Sequence, residues 1–597
     1  MIAYTADFET TTDEKDCRVW AYSICGIKDP KEFYYGNNFE DFIKFCANPK
    51  ENYTLYFHNL KFDGAFIITW LLNNGYKYIS DRKEKADQTF TTLITDMGQF
   101  YAIEIYFNIK GHHTNKVKIL DSLKIFPNFS VEKVAEGFNL PIRKLSIDYR
   151  KTRPKGWQLT SEEIDYIRND VEIMARALHI MFEKGLKKMT IAGDAFESYK
   201  DFVPNFRKRF PVLDPEVDAD IRLAYRGGFT YVNDIYKEKE VGHGICIDKN
   251  SMYPSKMVQK PLPYGVPEHF DGEYQFDPVM PLYIQSISCI FDLKPNKIPN
   301  IQLKNNLSFI PNEYLASSNG KIVTLSLCSP DYELFKENYN IKHPVYNGGW
   351  KFKECKGMFE TYINYWMDQK IKAGKEGNKP QRQIAKLMLN SLYGRFGLSI
   401  NAQQKFPYLD DQGVLRFALL PPEKREPVYI PVACFITAYG RVDTIRTSQE
   451  IRDYSMKKYG YDAYLYSDTD SIHCMINDDD LDALKDDIFI DDFALGAWAK
   501  ESEFDRAIFI RQKCYIEETD GKLNVTVAGM PKYLTPLITF DNFKRGFTTE
   551  GLTLEEMIKM ASKNGATDQE IEKLHHKLTY KYVKGGVILS DTDFTIK

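Results

Sequence analysis

IAYTADFE (2–9), in which apolar and polar residues alternate from Tyr4, TLYFHNL (54–60) and VKILDSL (117–123) read as strands. The period changes at Thr160-Ser161-Glu162-Glu163, where Thr160 and Glu163 have capping-box spacing. Ile164, Ile167, Val171, Met174 and Leu178 then recur on one helical face. Residues 1–190 thus mix strands and helices in the α/β manner. A junction with Pro204, Pro211 and Pro215 leads to a strand-rich block from about Gly242, and prolines punctuate 261–311. The pattern predicts a charged helix over 353–374, a loop over AGKEGNKP (373–380) and a second helix after Pro380. FPYLDDQGVLRFALL (406–420) reads as a hairpin closing on Asp411–Gly413. LTLEEMIKMASK (552–563) reads as a late helix and GGVILSDTDFTIK (585–597) as a strand-like finish. No solenoid-length repeat is visible.

A chain of 597 residues is too long for one ordinary core, so three or more domains are expected. Its 43% hydrophobic and 27% charged residues place it among globular proteins. A net charge of −4 does not advertise a nucleic-acid partner, but a local cluster drawn from the 79 Lys and Arg would suffice for one. Ten cysteines without CxxC spacing, and an acidic N-terminal MIAYTADFETTT without an apolar stretch, read as free thiols in a reducing cytoplasm. The longest apolar runs, such as GAFIITWLL (64–72), are about half of what a bilayer crossing needs, so no membrane partner is expected. Aromatic residues at 14% could supply base-stacking surface.

Two acidic constellations change the picture. Asp7 and Glu9 share one face of the first strand-like run. Asp63 interrupts a hydrophobic context in YFHNLKFDG, with Gly64 permitting close backbone approach. Tyr166 and Asp170 lie four apart on the capped helix and share a face. Four carboxylates and a tyrosine, carried on strand, loop and helix in that order, suit a two-metal 3′–5′ exonuclease. Hard Mg²⁺ or Mn²⁺ is satisfied by oxygen ligands alone, and Tyr166 could orient the attacking water.

The second set joins ICIDKNSMYP (245–254) to LYSDTDSIHC (465–474), about 220 residues away. A hairpin tip carrying Asp468 and Asp470, brought beside Asp248, could hold two Mg²⁺ ions for in-line attack of a 3′-hydroxyl on a nucleoside triphosphate. Asp470 is the more direct ligand and Asp468 secondary. In QRQIAKLMLNSLYGRFG, Arg382, Lys386, Asn390 and Tyr393 form one polar stripe, while Ile384, Leu387, Met388 and Leu392 fill the rest of the surface. The stripe reads as a cationic rail for the triphosphate. Lys386 would neutralise the α-phosphate and protonate the leaving pyrophosphate, and Tyr393 would stack beside the incoming base.

With these segments assembled, the chain resembles the protein-primed branch of the B-family DNA polymerases of small tailed bacteriophages of Gram-positive hosts. The resemblance spans essentially the whole chain. It is carried by DFET (7–10), NLKFDG (59–64), YIRND (166–170), DKNSMYP (248–254), KLMLNSLYG (386–394) and YSDTDS (466–471). It implies a multidomain α/β and α+β chain: a ribonuclease H-like 3′–5′ exonuclease domain plus a right-hand polymerase domain with two insertions. The implied boundaries are exonuclease 1–190, palm 191–259 and 427–530, first insertion 260–357 docking a priming protein, and fingers 358–395. A second insertion at 396–426 would give processivity and strand displacement, and 531–597 would be the thumb.

Residue by residue, the resemblance makes Tyr253 a steric gate against a ribose 2′-OH and assigns Lys370 to the triphosphate. It makes Tyr225, Gly227, Gly228, Ser251, Thr437 and Arg441 contacts to template and primer backbone. Lys513 and Tyr515 would hold the primer end. In the nuclease domain, Thr10, Asn59, Phe62, Ser122 and Leu123 would grip single-stranded DNA, and Lys144 would be a catalytic lysine. The implied partners are primer-template DNA, dNTPs and a terminal priming protein, handled by a monomer in the host bacterial cytoplasm. The implied task is replication of a linear phage genome with two divalent ions per active site. The alternatives are a conventional oligonucleotide-primed polymerase of the same family, or a catalytically silent DNA-binding protein.

Overall fold

The computed structural model describes residues 2–597 apart from 49–50, 111–112, 149–150, 304–305 and 311–312. An eight-stranded sheet dominates the N-terminal part. Its strands are β1 (Ile2–Thr10), β2 (Val19–Gly26), β3 (Phe33–Gly36), β4 (Tyr53–Phe57), β5 (Lys77–Tyr78), β6 (Thr89–Ile94), β7 (Phe100–Lys110) and β8 (His113–Asp121). They are ordered β3-β2-β1-β4-β8-β7-β6-β5, with β1, β4 and β8 running parallel. The alternation of IAYTADFE is thus that of a central strand with both faces covered. One face packs on α1 (Leu60–Asn73), the other on α2 (Ser161–Glu183). The capping box is present: the Thr160 hydroxyl accepts from the Glu163 N–H, and the Glu163 carboxylate accepts from the Thr160 N–H. Ile167, Val171, Met174 and Leu178 are buried as the helical spacing requires, and Ile164 is half-buried.

A five-stranded sheet forms the centre of the remaining chain. It contains β9 (Thr230–Val232), β10 (Gly244–Lys249), β11 (Tyr464–Asp468), β12 (Ser471–Cys474) and β13 (Trp498–Phe504), ordered β13-β10-β12-β11-β9. Residues about 220 apart in sequence therefore become neighbours in the sheet: Asp248 is paired with Ser471 across β10 and β12. Three helices surround this sheet and its insertion: α3 (Met252–Gln259), α4 (Ser329–Asn338) and the long α7 (Ile430–Tyr459), against which the other two pack. Between α3 and the finger helices, four strands (Leu262–Phe270, Tyr339–Cys355, Leu282–Leu293, Val323–Cys328, in spatial order) make a separate antiparallel sheet.

The finger helices are α5 (Glu360–Lys375) and α6 (Lys379–Ser391). The helix expected from 353 starts seven residues later, because 353–355 complete the strand Tyr339–Cys355. The expected loop also shrinks to 376–378. Asn378 caps α6 by accepting from the Gln381 N–H, and Pro380 sits in its first turn, where a missing N–H costs nothing. The hairpin at 405–419 forms as read, with Gly413 at φ +76° in its turn. A C-terminal hairpin, β14 (Lys577–Val583) and β15 (Gly586–Thr592), folds back across α1. Val583, Val587 and Ile588 join the same apolar core as Phe8, Phe57 and Ile67. Gly586 is obligatory there, since a Cβ would lie 2.4 Å from the Phe66 ring. All ten cysteines are free thiols. Among the described residues no helix is long and apolar enough to cross a membrane.

Candidate active sites

The end of β1 brings Asp7 and Glu9 to Asp63 in the first turn of α1 and to Asp170 on α2. Local chemistry explains the placement. Asn59 caps α1 from the left-handed region (φ +74°), which asparagine tolerates, and its N–H donates to Asp121 Oδ1 at 3.0 Å. At Gly64 a Cβ would come within 3.2–3.3 Å of Ile103 and Phe100 on β7, so glycine keeps α1, and with it Asp63, close to the sheet.

The four carboxylates oppose one another. Burial, then Asp170, pushes Asp7 up to about 7. Burial and the charges of Asp7 and Asp170 raise Glu9 well above the usual range, and burial with Asp7 does the same to Asp63. Asp170 is raised by burial against the pull of Lys144, whose ammonium sits 2.5 Å from its Oδ2 and 5.5 Å over the Tyr166 ring. Asp63 Oδ1 and Asp170 Oδ1 are buried without a hydrogen-bond partner. Desolvated, mutually repelling acids with orphaned oxygens have the chemistry that suits a hard cation. Among the described residues no three acids, imidazoles or thiolates already stand in ligand geometry, so a cation would draw these inward.

A cleft of about 1900 Å³ opens over this cluster, lined by Asp7, Glu9, Thr10, Phe62, Lys144, Tyr166 and Asp170. Its other wall comes from the C-terminal region, including Leu554, His575, Leu578 and Asp591. Asn59 Nδ2 donates to the Tyr580 hydroxyl at 2.7 Å, and the Phe62 and Tyr580 rings lie 5.9 Å apart. Leu123 is half-buried on the turn after β8. Ser122 is fully buried, its hydroxyl donating to Phe57 O at 3.0 Å and paired with His58 Nδ1 at 2.9 Å. Ser122 thus supports His58 from within.

In the second site, β11 and β12 meet in a tight turn, Thr469-Asp470. Thr469 adopts φ +62°, an uncommon choice for a β-branched residue. Three contacts impose it. Its N–H donates to Phe229 O at 2.6 Å, and its carbonyl accepts from the Thr444 hydroxyl at 2.8 Å. Its side chain covers Gly228, where a Cβ would lie 2.6 Å from Thr469 Cγ2. The turn aims Asp470 at Asp248. Burial, then Asp470 and Glu501, pushes Asp248 up to about 7, while Lys386 pulls it down. Asp470 is raised by burial, with Asp468 and Glu501 adding to it. Asp468 is engaged elsewhere, receiving the Lys513 ammonium at 2.6 and 2.8 Å.

Glu501 escaped sequence reasoning. A register shift between Cys246 and Ile247 pairs them with Ser502 and Lys500, leaving Glu501 as the extra residue, near Asp248 and Asp470. Nothing in WAKESEF announces that bulge.

The α6 stripe lies open as expected. Arg382, Lys386 and Asn390 are exposed, while Ile384, Leu387, Met388 and Leu392 are buried. Lys370 on α5 lies close enough to Arg382 and Lys386 that burial and their charges depress its pKa. Three mutually repelling cations thus gather on one side of the carboxylates. Tyr393 and Tyr253 are in ring contact at 4.3 Å. Ser251 caps α3 at φ +52°, and Tyr225 packs on the Gly397 turn. Tyr515 is half-buried against Tyr466 and Phe509.

Thr437 and Arg441, expected at the template and primer backbone, are both almost fully buried. The Thr437 hydroxyl donates to Ala433 O and Cys434 O within α7. The Arg441 guanidinium forks onto Asp331 of α4 and donates to Arg226 O and Gly227 O at 2.8 and 2.7 Å. Arg441 therefore fixes the exposed Gly227 loop from beneath.

A family model described as DNA polymerase type B, organellar and viral, matches residues 46–489. The DNA polymerase of Bacillus phage phi29 is 42% identical over 100% of this chain and 99% of its own length. That of Streptococcus phage Cp-1 is 33% identical over 100% and 98%. The solved structure of phi29 DNA polymerase complexed with primer-template DNA and incoming nucleotide matches with a TM-score of 0.88 at 41% identity, covering 100% of both chains. The same polymerase complexed with single-stranded DNA matches with a TM-score of 0.87 at 40% identity, again over 100% of both.

Proposed function

The chain belongs to the B-family DNA polymerases of the organellar and viral type, and from that premise we propose how its two carboxylate sets divide the labour of a DNA-directed DNA polymerase with a 3′–5′ exonuclease. The carrying observation is that Asp248, Asp470 and Glu501 gather on one sheet opposite Lys386, while Asp7, Glu9, Asp63 and Asp170 gather where the N-terminal sheet meets α1 and α2.

In the synthetic site Asp248 and Asp470 would hold two divalent ions, Mg²⁺ or Mn²⁺, which would lower the pKa of the attacking hydroxyl and neutralise charge on the phosphates. Lys386 holds the triphosphate and passes its proton to the departing pyrophosphate, with Lys370 and Arg382 adding charge and Asn390 a polar contact. Tyr253 closes the space of a ribose 2′-OH, and Tyr393 supports its ring and the incoming base. Asp468 positions Lys513 toward the primer end beside Tyr515. Tyr225, Gly227, Gly228 and Ser251 face template and primer backbone.

In the trimming site Asp7, Glu9, Asp63 and Asp170 would hold the ions, Tyr166 orients the hydrolytic water, and Lys144 holds Asp170. Thr10, Asn59, Phe62 and Leu123 guide the single strand. The division follows the boundaries given above: 1–190 trims, 191–259 and 427–530 form the palm, 358–395 the fingers, 531–597 the thumb. The insertions 260–357 and 396–426 dock a priming protein and embrace DNA. The enzyme works as a monomer in the host bacterial cytoplasm, starting each strand from a hydroxyl of a terminal protein.

Asp470→Ala is expected to abolish incorporation and spare degradation of single strands. Asp7→Ala with Glu9→Ala is expected to do the reverse. Either variant losing both activities while folded, or neither, would refute the division. Formation of a protein–dAMP adduct from enzyme, candidate terminal protein and dATP, without any oligonucleotide, tests the priming reading.

A further inference from the structure

Directly beneath the synthetic site lies a charge arrangement that none of the roles above requires. Lys249 closes β10 beside Asp248, and Lys256 lies on α3, three residues beyond Tyr253. Both are almost fully buried, at 4% and 2% exposure. Their ammonium groups converge on a single oxygen, Asp443 Oδ2 on α7; the Lys249 distance is 2.8 Å and the Lys256 contact is also an ion pair. Two buried cations share one anion, with the cation of Lys260 close by and the face of the Trp498 ring 4.6 Å from Lys249. Burial depresses both lysines, Lys256 to about 8, against the pull of Asp443. An unmatched buried charge is costly and adds little to stability, so its placement calls for another reason.

Geometry supplies one. Helix α3 touches α7 at two points one turn apart on each helix. The first is steric: at Gly440 a Cβ would lie 3.1 Å from Met252 Sδ and 3.2 Å from the Tyr253 ring. The second is the ion pair from Lys256 to Asp443. The ring of Tyr253 is thus set between Tyr393 on one side and α7 at Gly440 on the other. Lys256 stops α3 from rolling or sliding on α7. Through Lys249 the same Asp443 oxygen also holds the end of β10, whose Lys249 N–H donates to Asp470 O at 2.7 Å.

We propose that Lys256 and Asp443 are positioning residues, a charged latch that fixes Tyr253 against α7 and thereby sets discrimination between deoxyribo- and ribonucleotides; the inference rests on Tyr253 being the sugar gate. A ring free to shift by a few tenths of an ångström would leave room for a 2′-hydroxyl without altering the carboxylates.

The test compares kcat/KM for a dNTP and the matching rNTP in the full-length enzyme. Lys256→Met leaves Lys249 and Asp443 as a matched pair, so thermal stability and single-strand digestion should hold. Its dNTP kcat/KM should stay within about threefold, while the discrimination ratio falls about tenfold, chiefly through a lower KM for the rNTP. Lys256→Arg keeps an ion pair to Asp443 and should retain most of the discrimination. Should Lys256→Met not fold, Lys256→Gln carries the same expectation. Tyr253→Val separates the two readings. If it relaxes discrimination but the Lys256 variants leave the ratio unchanged, or slow both nucleotides equally, the latch is refuted. If Tyr253→Val itself leaves discrimination intact, the gate reading fails and the latch loses its consequence with it.

Discussion

Gly228→Ala isolates the device that aims Asp470. The added Cβ would sit 2.6 Å from both Thr469 Cγ2 and Oγ1 and 3.0 Å from Thr469 Cβ. Ordinary carbon contacts are ~3.5–4.0 Å, so roughly 1 Å of movement is demanded. Thr469 cannot supply it by turning its backbone, because Phe229 O and the Thr444 hydroxyl hold its N–H and carbonyl. Overpacking of this kind costs about 1–3 kcal/mol, and a reacting group misplaced by ~1 Å can lose about 100-fold in rate. Single-turnover dNTP incorporation should therefore fall about 100-fold, with 3′–5′ digestion of single strands unchanged. Thr469→Gly removes the obstructing side chain and a left-handed conformation worth about 1–2 kcal/mol of strain, partly offset by the entropy of a new glycine. Added to Gly228→Ala, it should recover at least about tenfold, or ~1.4 kcal/mol of transition-state stabilisation. A double variant no faster than Gly228→Ala, or full activity in Gly228→Ala alone, would refute the account.

Asp331→Ala strips the buried Arg441 guanidinium of its carboxylate and should cost about 3–5 kcal/mol, read as a lower denaturant midpoint in urea. Asp7 and Asp248 are both raised from 3.8 to about 7 in the folded chain. Their contribution to stability is therefore complete below pH ~4 and is lost as pH climbs through about 7. In EDTA the melting temperature should fall between pH 5 and 8, and Mg²⁺ should restore more of it at pH 8 than at pH 5.5, since only the ionised acids bind it. An Mg²⁺ effect independent of pH would argue against these ligands. Tyr580→Phe removes the oxygen that receives Asn59 Nδ2. It should raise KM for single-strand digestion a few-fold while leaving incorporation alone, and equal loss of both would count against a local role.

The acids were legible in the sequence because their chemistry needs few partners: alternation placed Asp7 with Glu9, helical spacing placed Tyr166 with Asp170, and turn residues marked the tip bearing Asp470. The capping box at Thr160 and the hairpin at 405–419 were legible for the same local reason. What escaped depends on distant partners. The fork of Arg441 onto Asp331, 110 residues away, is one such pairing. Glu501 acquires its direction from a register shift that no local pattern encodes. The start of α5 was misjudged because charged residues on an exposed strand, as at Lys353 and Glu354, look the same as those on a helix.

The bond from Asn59 to Tyr580 spans 521 positions, and the hairpin that carries Tyr580 fills the core under the first strand. During synthesis on a ribosome the N-terminal sheet must therefore wait, one flank uncovered, until residues 577–592 have been made. A product released before residue 577 would lack a wall of the digestion cleft and leave Phe66 facing water, a species fit for proteolysis and not for work.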